Sequence, residues 1–256
     1  MLRDDLAWAP GRAEGCFGSL GLGSLVSPSP CSNRVLHTLN IRLFGDKIVY
    51  IANHAEDEVV FVDRSLIALL WPLVDQLETV RHFVVMDDGD GEIPDDPRVV
   101  DYEELISNAS PVEFEVKDEK QAASMCYTSG TTGNPTGVVY SHRSTYMHTL
   151  TAMTADGLGV RESDVILPVV PMFHVNSWGL QHAAVAAGAT LVNPGPKLQP
   201  EPIAELMESE KVTIAAGVPT IWMGVLNELD GRDMSHLRAI PCGGSAVPKS
   251  LSEGYR

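Results

Sequence analysis

The chain has 256 residues, with 34 acidic against 18 basic side chains and a formal net charge of -16. This excess of negative charge argues against a nucleic acid or an anionic membrane surface as partner, because both require a basic face. The length allows one large domain or two small ones, and the sequence predicts no transmembrane segment because it lacks a long apolar run.

The cysteines and the start of the chain indicate a cytoplasmic setting. Cys16, Cys31, Cys126 and Cys242 show neither metal-ligand spacing nor a dense disulfide framework. The first residues, "MLRDDLAWAPGR", contain acidic side chains and no apolar core of a secretory signal. We therefore expect reduced thiols in a cytoplasmic protein.

The sequence pattern changes at residue 35, from an irregular composition to helical and strand periodicity. Residues 1–34 are rich in Gly, Ser and Pro without helical or strand periodicity, which predicts an irregular stretch. "EVVFVD" (58–63) predicts a strand, and the leucine spacing of "SLIALLWPLVDQLE" (65–78) predicts a helix kinked at Pro72. "HFVVMDD" (82–88) predicts a further strand.

The remainder alternates apolar runs with helical patterns. Strands are predicted at "AASMCYTS", "GVVYSH", "DVILPVVP", "ATLVNPG" and "TIAAGVP", and helices from Ser144, from Asn176, around 201–212 and around 220–230. This alternation predicts an α/β fold with mostly parallel sheets flanked by helices. In such sheets ligands bind at the carboxyl ends of the strands, where the Gly-rich turns of this sequence fall.

The stretch "TSGTTGNPTG" (128–137) predicts an anion-binding loop between two strands. Its glycines allow backbone N–H groups to converge on one point, and its hydroxyls add rotatable donors, so phosphate is the expected guest. A flexible Ser/Gly linker is the alternative. The spacing differs from the Walker loop, because the fifth position after Gly130 is Pro135.

Three ordered stretches carry a family resemblance. "YTSGTTGNPTGVVYSHRS" resembles the phosphate loop of the adenylate-forming superfamily, which includes acyl-CoA synthetases, luciferases and peptide-synthetase adenylation domains. "PMFHVNSWGL" (171–180) resembles its acyl-pocket segment, and "CGGSAVP" (242–248) resembles its adenine-contacting turn. The resemblance covers residues 35–256 and implies a partial AMP-binding domain of that fold.

The resemblance implies ATP-dependent activation of a fatty acid to an acyl-adenylate and then to acyl-CoA. Substrates and cofactors would be the fatty acid, ATP, Mg²⁺ and coenzyme A. The implied phosphate-binding residues are Thr128, Ser129, Gly130, Thr131, Thr132 and Gly133, with Thr128 also near Mg²⁺. His174 would lie near the acyl carbonyl, Val175 on the pocket wall, Trp178 at the mouth of the acyl tunnel, and Gly243, Gly244 and Ser245 against adenine.

Two departures from the family pattern lead to alternatives. Thr136, which with His174 is an implied catalytic residue, stands where the family pattern has a lysine at the β- and γ-phosphates, so the loop keeps a hydroxyl and loses a charge. No counterpart of the family's C-terminal domain precedes Arg256, so we expect a fragment of the large domain that is inactive alone. A non-catalytic nucleotide- or acyl-binding remnant, an aryl acid as substrate, and a homo-oligomer remain open.

Overall fold

The strands and helices alternate along most of the described chain, as the sequence predicts. The computed structural model describes residues 13–17, 28–87, 89–111, 113–128 and 133–255. The strands are β1 Ala13–Phe17, β2 Val35–Thr38, β3 Asp57–Asp63, β4 His82–Met86, β5 Val99–Asp101, β6 Ala122–Thr128, β7 Thr136–Ser141, β8 Val165–Pro168, β9 Thr190–Leu191 and β10 Ile214–Ala216.

Helices occupy most of the connections between these strands. They span Pro28–Cys31, Gly45–Ala55, Ile67–Leu70, Tyr102–Ser107, His142–Met153, Leu180–Ala187, Pro200–Ser209, Pro219–Leu226 and Lys249–Gly254, and a separate helical turn spans Val175–Trp178. The helix predicted over residues 65–78 is interrupted near Pro72. The α-helix ends at Leu70, and a 3₁₀ segment, Trp71–Gln76, follows it. None of the described helices is both long and apolar enough to cross a membrane.

The described chain divides into two compact units. The first contains the described residues up to Thr145 together with Met172–Asn176, and the second contains Tyr146–Pro171 with the described residues from Ser177 onward. Within the part of the chain that the structure describes, each unit has its own sheet. The α/β prediction with mostly parallel strands is confirmed.

The first unit is built on a sheet with the strand order β5-β4-β3-β1-β2-β6-β7. The strand pairs are parallel except β6 with β7, which is antiparallel. Val60 and Val62 of β3 pack into one apolar cluster, while Val59 and Phe61 pack into another. Both faces of β3 are therefore buried, as expected for a strand covered by helices on both sides.

The second unit is built on a parallel sheet with the order β10-β8-β9. Here too neighbouring residues of one strand enter different clusters, since Leu167 packs with Ala215 and Ile166 packs with Ile214. The apolar runs of β8 and β10 thus serve two faces at once. This double burial explains why these strands lack the polar alternation of a half-exposed strand.

An ion pair with a buried carboxylate supports the second sheet at the entrance to β8. Arg238 donates to both carboxylate oxygens of Asp164, at 2.8 and 2.5 Å, and Thr213 donates to Asp164 at 2.7 Å. Burial raises the pKa of Asp164, but the hydrogen bonds from Arg238 and Thr213 outweigh it and lower that pKa to about 2. The carboxylate therefore stays charged over the ordinary pH range.

Two sequence predictions of local structure are wrong. Residues 1–34 are predicted to be irregular, yet Ala13–Phe17 forms β1, between β2 and β3, and Pro28–Cys31 is helical; residues 1–12 and 18–27 lie outside the described part. Strand pairing on both sides supplies β1 with the order that its sequence pattern does not show. The predicted helix from Asn176 instead begins at Leu180, after the turn at Val175–Trp178.

Candidate active site

The predicted phosphate loop is the connection of an antiparallel hairpin. Thr128 at the end of β6 pairs with Thr136 at the start of β7, and the Thr128 hydroxyl donates to the Thr136 carbonyl oxygen at 3.4 Å. Gly133 lies in the connection, where a Cβ atom would meet nothing within 4 Å. The predicted residues Ser129, Gly130, Thr131 and Thr132 lie outside the described residues.

An open cavity of about 390 Å³ lies beside this hairpin in the first unit. Its lining residues are Tyr50, His54, Ala55, Met125, Tyr127, Asn134, Pro135, Thr136, Gly137 and Val139. The helix Gly45–Ala55 supplies the first three, and the hairpin supplies the others. The cavity therefore presents rings and hydroxyls next to the predicted anion-binding loop.

Tyr127 connects the hairpin to the helix Gly45–Ala55. Its hydroxyl lies 2.7 Å from Nδ1 of His54, and its ring lies 5.1 Å from the ring of His37. A Cβ atom at Gly137 would come within 3.2 Å of the Tyr127 ring, so glycine at that position lets the ring lie across both strands of the hairpin. Burial raises the pKa of Tyr127 to about 12, and therefore its hydroxyl stays protonated near neutral pH.

A buried His–Asp pair lies beneath Tyr127. Nδ1 of His37 is 2.9 Å from both carboxylate oxygens of Asp57, and both side chains are fully buried. Burial raises the pKa of Asp57, while the charge and hydrogen bond of His37 oppose that rise. Sequence analysis missed His37, His54, Asp57 and Tyr127, because their contacts join residues up to 90 positions apart with no motif to mark them.

The predicted acyl-pocket segment contains a left-handed helical turn. The φ angles of Val175, Asn176, Ser177 and Trp178 are 50°, 46°, 53° and 55°, and Gly179 follows at 67°. Each L-residue in this conformation costs about 1–2 kcal/mol, so the surrounding contacts must stabilise the turn. His174 and Val175, just before and at its start, are exposed.

Side-chain hydrogen bonds stabilise the left-handed turn, and each of them joins two residues of the same unit. In the first unit, the Asn176 amide donates to the Ser124 hydroxyl at 2.5 Å and accepts from the Cys126 thiol at 2.9 Å. In the second unit, Ser177 donates to the Val170 carbonyl oxygen at 2.7 Å. These partners offset the cost of the left-handed backbone.

Trp178 is fixed from two sides within the second unit. Nε2 of His148 donates to the Trp178 carbonyl oxygen at 2.9 Å. The Trp178 ring lies against Gly243, where a Cβ atom would be 3.4 Å from Cη2 of the indole. The structure thus brings together the predicted acyl-gate residue and the predicted adenine-contacting turn.

The turn at Gly243–Ser245 follows a chain segment that runs beside β10. Gly217 pairs with Cys242 in a parallel bridge, and the Gly243 N–H donates to the Gly217 carbonyl oxygen at 3.4 Å. Gly244 has a φ of 84°, which favours glycine, and Ser245 is exposed. The turn therefore lies past the carboxyl end of a parallel strand, where ligands of α/β sheets bind.

Two comparisons with curated sequences extend the resemblance. The chain is 47% identical over 225 residues to the long-chain-fatty-acid–CoA ligase of Thermus thermophilus, a match that spans 87% of this chain and 40% of that enzyme. It is 44% identical over 226 residues to the 3-methylmercaptopropionyl-CoA ligase of Ruegeria lacuscaerulensis, with 87% and 42% covered. The chain thus spans about two fifths of the length of these relatives.

Solved structures show the same fold. The N-terminal domain of FACL13 from Mycobacterium tuberculosis matches with a TM-score of 0.82 at 24% identity, over 98% of this chain and 61% of that one. The long-chain-fatty-acid–CoA ligase FadD1 from Archaeoglobus fulgidus matches with a TM-score of 0.82 at 23% identity, over 98% and 50%. The family model described as AMP-binding enzyme matches residues 32–256. The chain therefore belongs to the AMP-binding enzyme family, as its three motifs predict.

Proposed function

We propose that this protein is an acid–thiol ligase that activates a fatty acid with ATP and transfers the acyl group to coenzyme A. In the first step a carboxylate oxygen attacks the α-phosphorus of ATP, and pyrophosphate leaves. In the second step the thiol of coenzyme A attacks the acyl carbonyl carbon, and AMP leaves. Both steps depend on positioning and on neutralising phosphate charge.

The proximity of the Trp178 ring to Gly243 is the observation that carries this proposal. An acyl-adenylate has its acyl carbonyl directly beside AMP, so the groups that contact the acyl chain and those that contact adenine must be neighbours. The motifs containing these two residues are more than 60 positions apart in sequence, yet a Cβ atom at Gly243 would lie only 3.4 Å from the Trp178 indole. This juxtaposition supports roles for Trp178 at the acyl chain and for Gly243, Gly244 and Ser245 at adenine.

The hairpin supports a role in phosphate binding. The strand ends that flank its connection carry Thr128 and Thr136, and Gly133 lies in the connection itself. The hydroxyl and backbone N–H groups of these residues are neutral hydrogen-bond donors. Mg²⁺ prefers oxygen ligands and is commonly held by substrate phosphates with one or two protein oxygens, a role that the Thr128 hydroxyl fits. In this proposal His174 lies near the acyl carbonyl, and Val175 forms part of the pocket wall.

The direct test is ATP–pyrophosphate exchange with a panel of acids on the purified chain. The panel contains medium- and long-chain fatty acids, 3-methylmercaptopropionate and benzoate, and ATP binding is measured in parallel. Exchange with fatty acids supports the proposal. ATP binding without exchange would instead indicate a non-catalytic nucleotide-binding domain, and exchange with benzoate alone would indicate an aryl acid ligase.

Substituting Trp178 tests the nature of the substrate. Trp178→Ala should relax the preference for fatty acid chain length, because the indole is the bulky group at this position. Met223→Ala is a matched control, since Met223 is an exposed side chain of the same unit.

A cytoplasmic location fits the free thiols of Cys31, Cys126 and Cys242. Size-exclusion chromatography would establish whether the chain forms a homo-oligomer.

A further inference from the structure

A lysine from outside the phosphate loop contacts the hairpin. Lys47 lies in the first turn of the helix Gly45–Ala55, and its Nζ donates to Oδ1 of Asn134 at 3.3 Å. Asn134 belongs to the hairpin connection, two residues before Thr136, and both line the cavity described above. The ammonium group of Lys47 therefore lies at the edge of that cavity.

The direction of Lys47 follows from how its helix packs. Ile48, Ile51 and Ala52 are buried in the apolar cluster of the first unit, which fixes the rotation of the helix about its axis. Lys47 and Tyr50 are three residues apart, and both therefore lie on one face. His54 continues this face, stacks on Tyr50 at 5.4 Å between ring centroids, and contacts Tyr127 of the hairpin at 2.7 Å.

The charge of Lys47 is incompletely neutralised in this position. Its hydrogen-bond partner Asn134 is neutral, and the carboxylate of Asp46 lies 3.9 Å away with 73% of its side chain exposed. Such an exposed pair contributes little binding energy. The ammonium group is thus free to exchange Asn134 for a stronger, anionic acceptor.

The hairpin itself lacks a positive side chain. The ten residues from Thr128 to Gly137 are "TSGTTGNPTG", which contain no Lys, Arg or His. At the described residues of this stretch, 128 and 133–137, a bound polyphosphate would meet neutral groups only, although charge neutralisation is the main requirement of phosphoryl chemistry. Thr136 stands at the position where the related phosphate loops carry their lysine, so the loop needs a cation from elsewhere.

We propose that Lys47 supplies this cation and binds the β- and γ-phosphates of a nucleoside triphosphate at the hairpin. The inference rests on the proposed function, because it requires that the hairpin binds a nucleotide. The four-carbon stem of lysine gives the ammonium group the reach to leave Asn134 for an adjacent phosphate oxygen. The loop then gains a charge from the neighbouring helix in place of the one missing at Thr136.

Nucleotide binding by the 256-residue chain tests the inference. MgATP and AMP are titrated by calorimetry into the unsubstituted chain and into Lys47→Met, Lys47→Arg and the double variant Lys47→Met with Thr136→Lys. We expect Lys47→Met to weaken MgATP binding about tenfold and to leave AMP binding unchanged, since AMP lacks the β- and γ-phosphates. Lys47→Arg should retain MgATP affinity, and Thr136→Lys should restore it in the double variant.

The matched control is Lys249→Met. Lys249 is an exposed lysine of the second unit that pairs with Glu253 at 3.3 Å, so its removal should change neither affinity. The inference is overturned if Lys47→Met binds MgATP as tightly as the unsubstituted chain, and also if it loses MgATP and AMP affinity in equal measure. An unsubstituted chain that binds neither nucleotide would refute the proposed function itself.

Discussion

The left-handed turn at Val175–Trp178 makes a prediction about glycine and alanine that inverts the usual order. Alanine and glycine variants at Val175 lose the same valine side chain, so their difference reports the backbone. A left-handed conformation costs an L-residue about 1–2 kcal/mol, whereas glycine loses about 0.5–1 kcal/mol more entropy than alanine on folding. Since φ at Val175 is 50°, Val175→Gly should be more stable than Val175→Ala by about 0.5–1 kcal/mol.

Val185 provides the matched control for this comparison. It is 67% exposed and lies in the right-handed helix Leu180–Ala187, so Val185→Gly should be less stable than Val185→Ala by about 1 kcal/mol. Equilibrium urea unfolding, followed by tryptophan fluorescence, measures all four variants. If alanine is more stable than glycine at Val175, as it is at Val185, the left-handed assignment and the strain argument are both refuted.

Three further predictions concern stability and reactivity. The lowered pKa of Asp164 contributes about 2 kcal/mol of stability that is present above pH 4 and is lost as the pH falls toward 2. The difference in free energy of unfolding between the unsubstituted chain and Asp164→Asn, measured as a function of pH, should therefore narrow below pH 4. Gly179→Ala should lower the melting temperature by several degrees, because φ is 67° and the new Cβ would overlap the ring of His148; an unchanged melting temperature would contradict the packing described. Alkylation mapped by mass spectrometry should label Cys242 before Cys126, because burial raises the pKa of both thiols but only Cys126 is buried from solvent; equal rates would contradict the burial of Cys126.

The fold and the family could be predicted from the sequence because both depend on short, local residue patterns. The apolar runs of β3, β8 and β10 are buried on both faces, so each appears as a continuous run between helical segments. The motifs at Thr128, Trp178 and Gly243 are short and ordered, and the family match over residues 32–256 confirms the resemblance that they carry. The residue roles assigned from these motifs stay predictions.

The features that the sequence did not predict depend on distant partners. β1 is a strand because β2 and β3 pair with it on either side, and its five residues show no alternation of their own. The turn that begins at Val175 is left-handed because side chains more than 20 positions away hold Asn176 and Trp178, and a valine at positive φ has no sequence signature. The helix predicted from Asn176 therefore starts four residues later than expected.

The amide of Asn176 has a consequence for any attempt to redesign this part of the protein. It donates to Ser124 and accepts from Cys126, so two residues of one strand and one residue of the turn satisfy each other in a buried place. Replacing Ser124 or Cys126 removes one of the two partners of the Asn176 amide, and replacing Asn176 removes a partner from both of the others, so a second replacement then costs less than it would alone. Single-site libraries would therefore undervalue variants at these three positions, and libraries that vary them jointly would reach combinations that stepwise selection rejects.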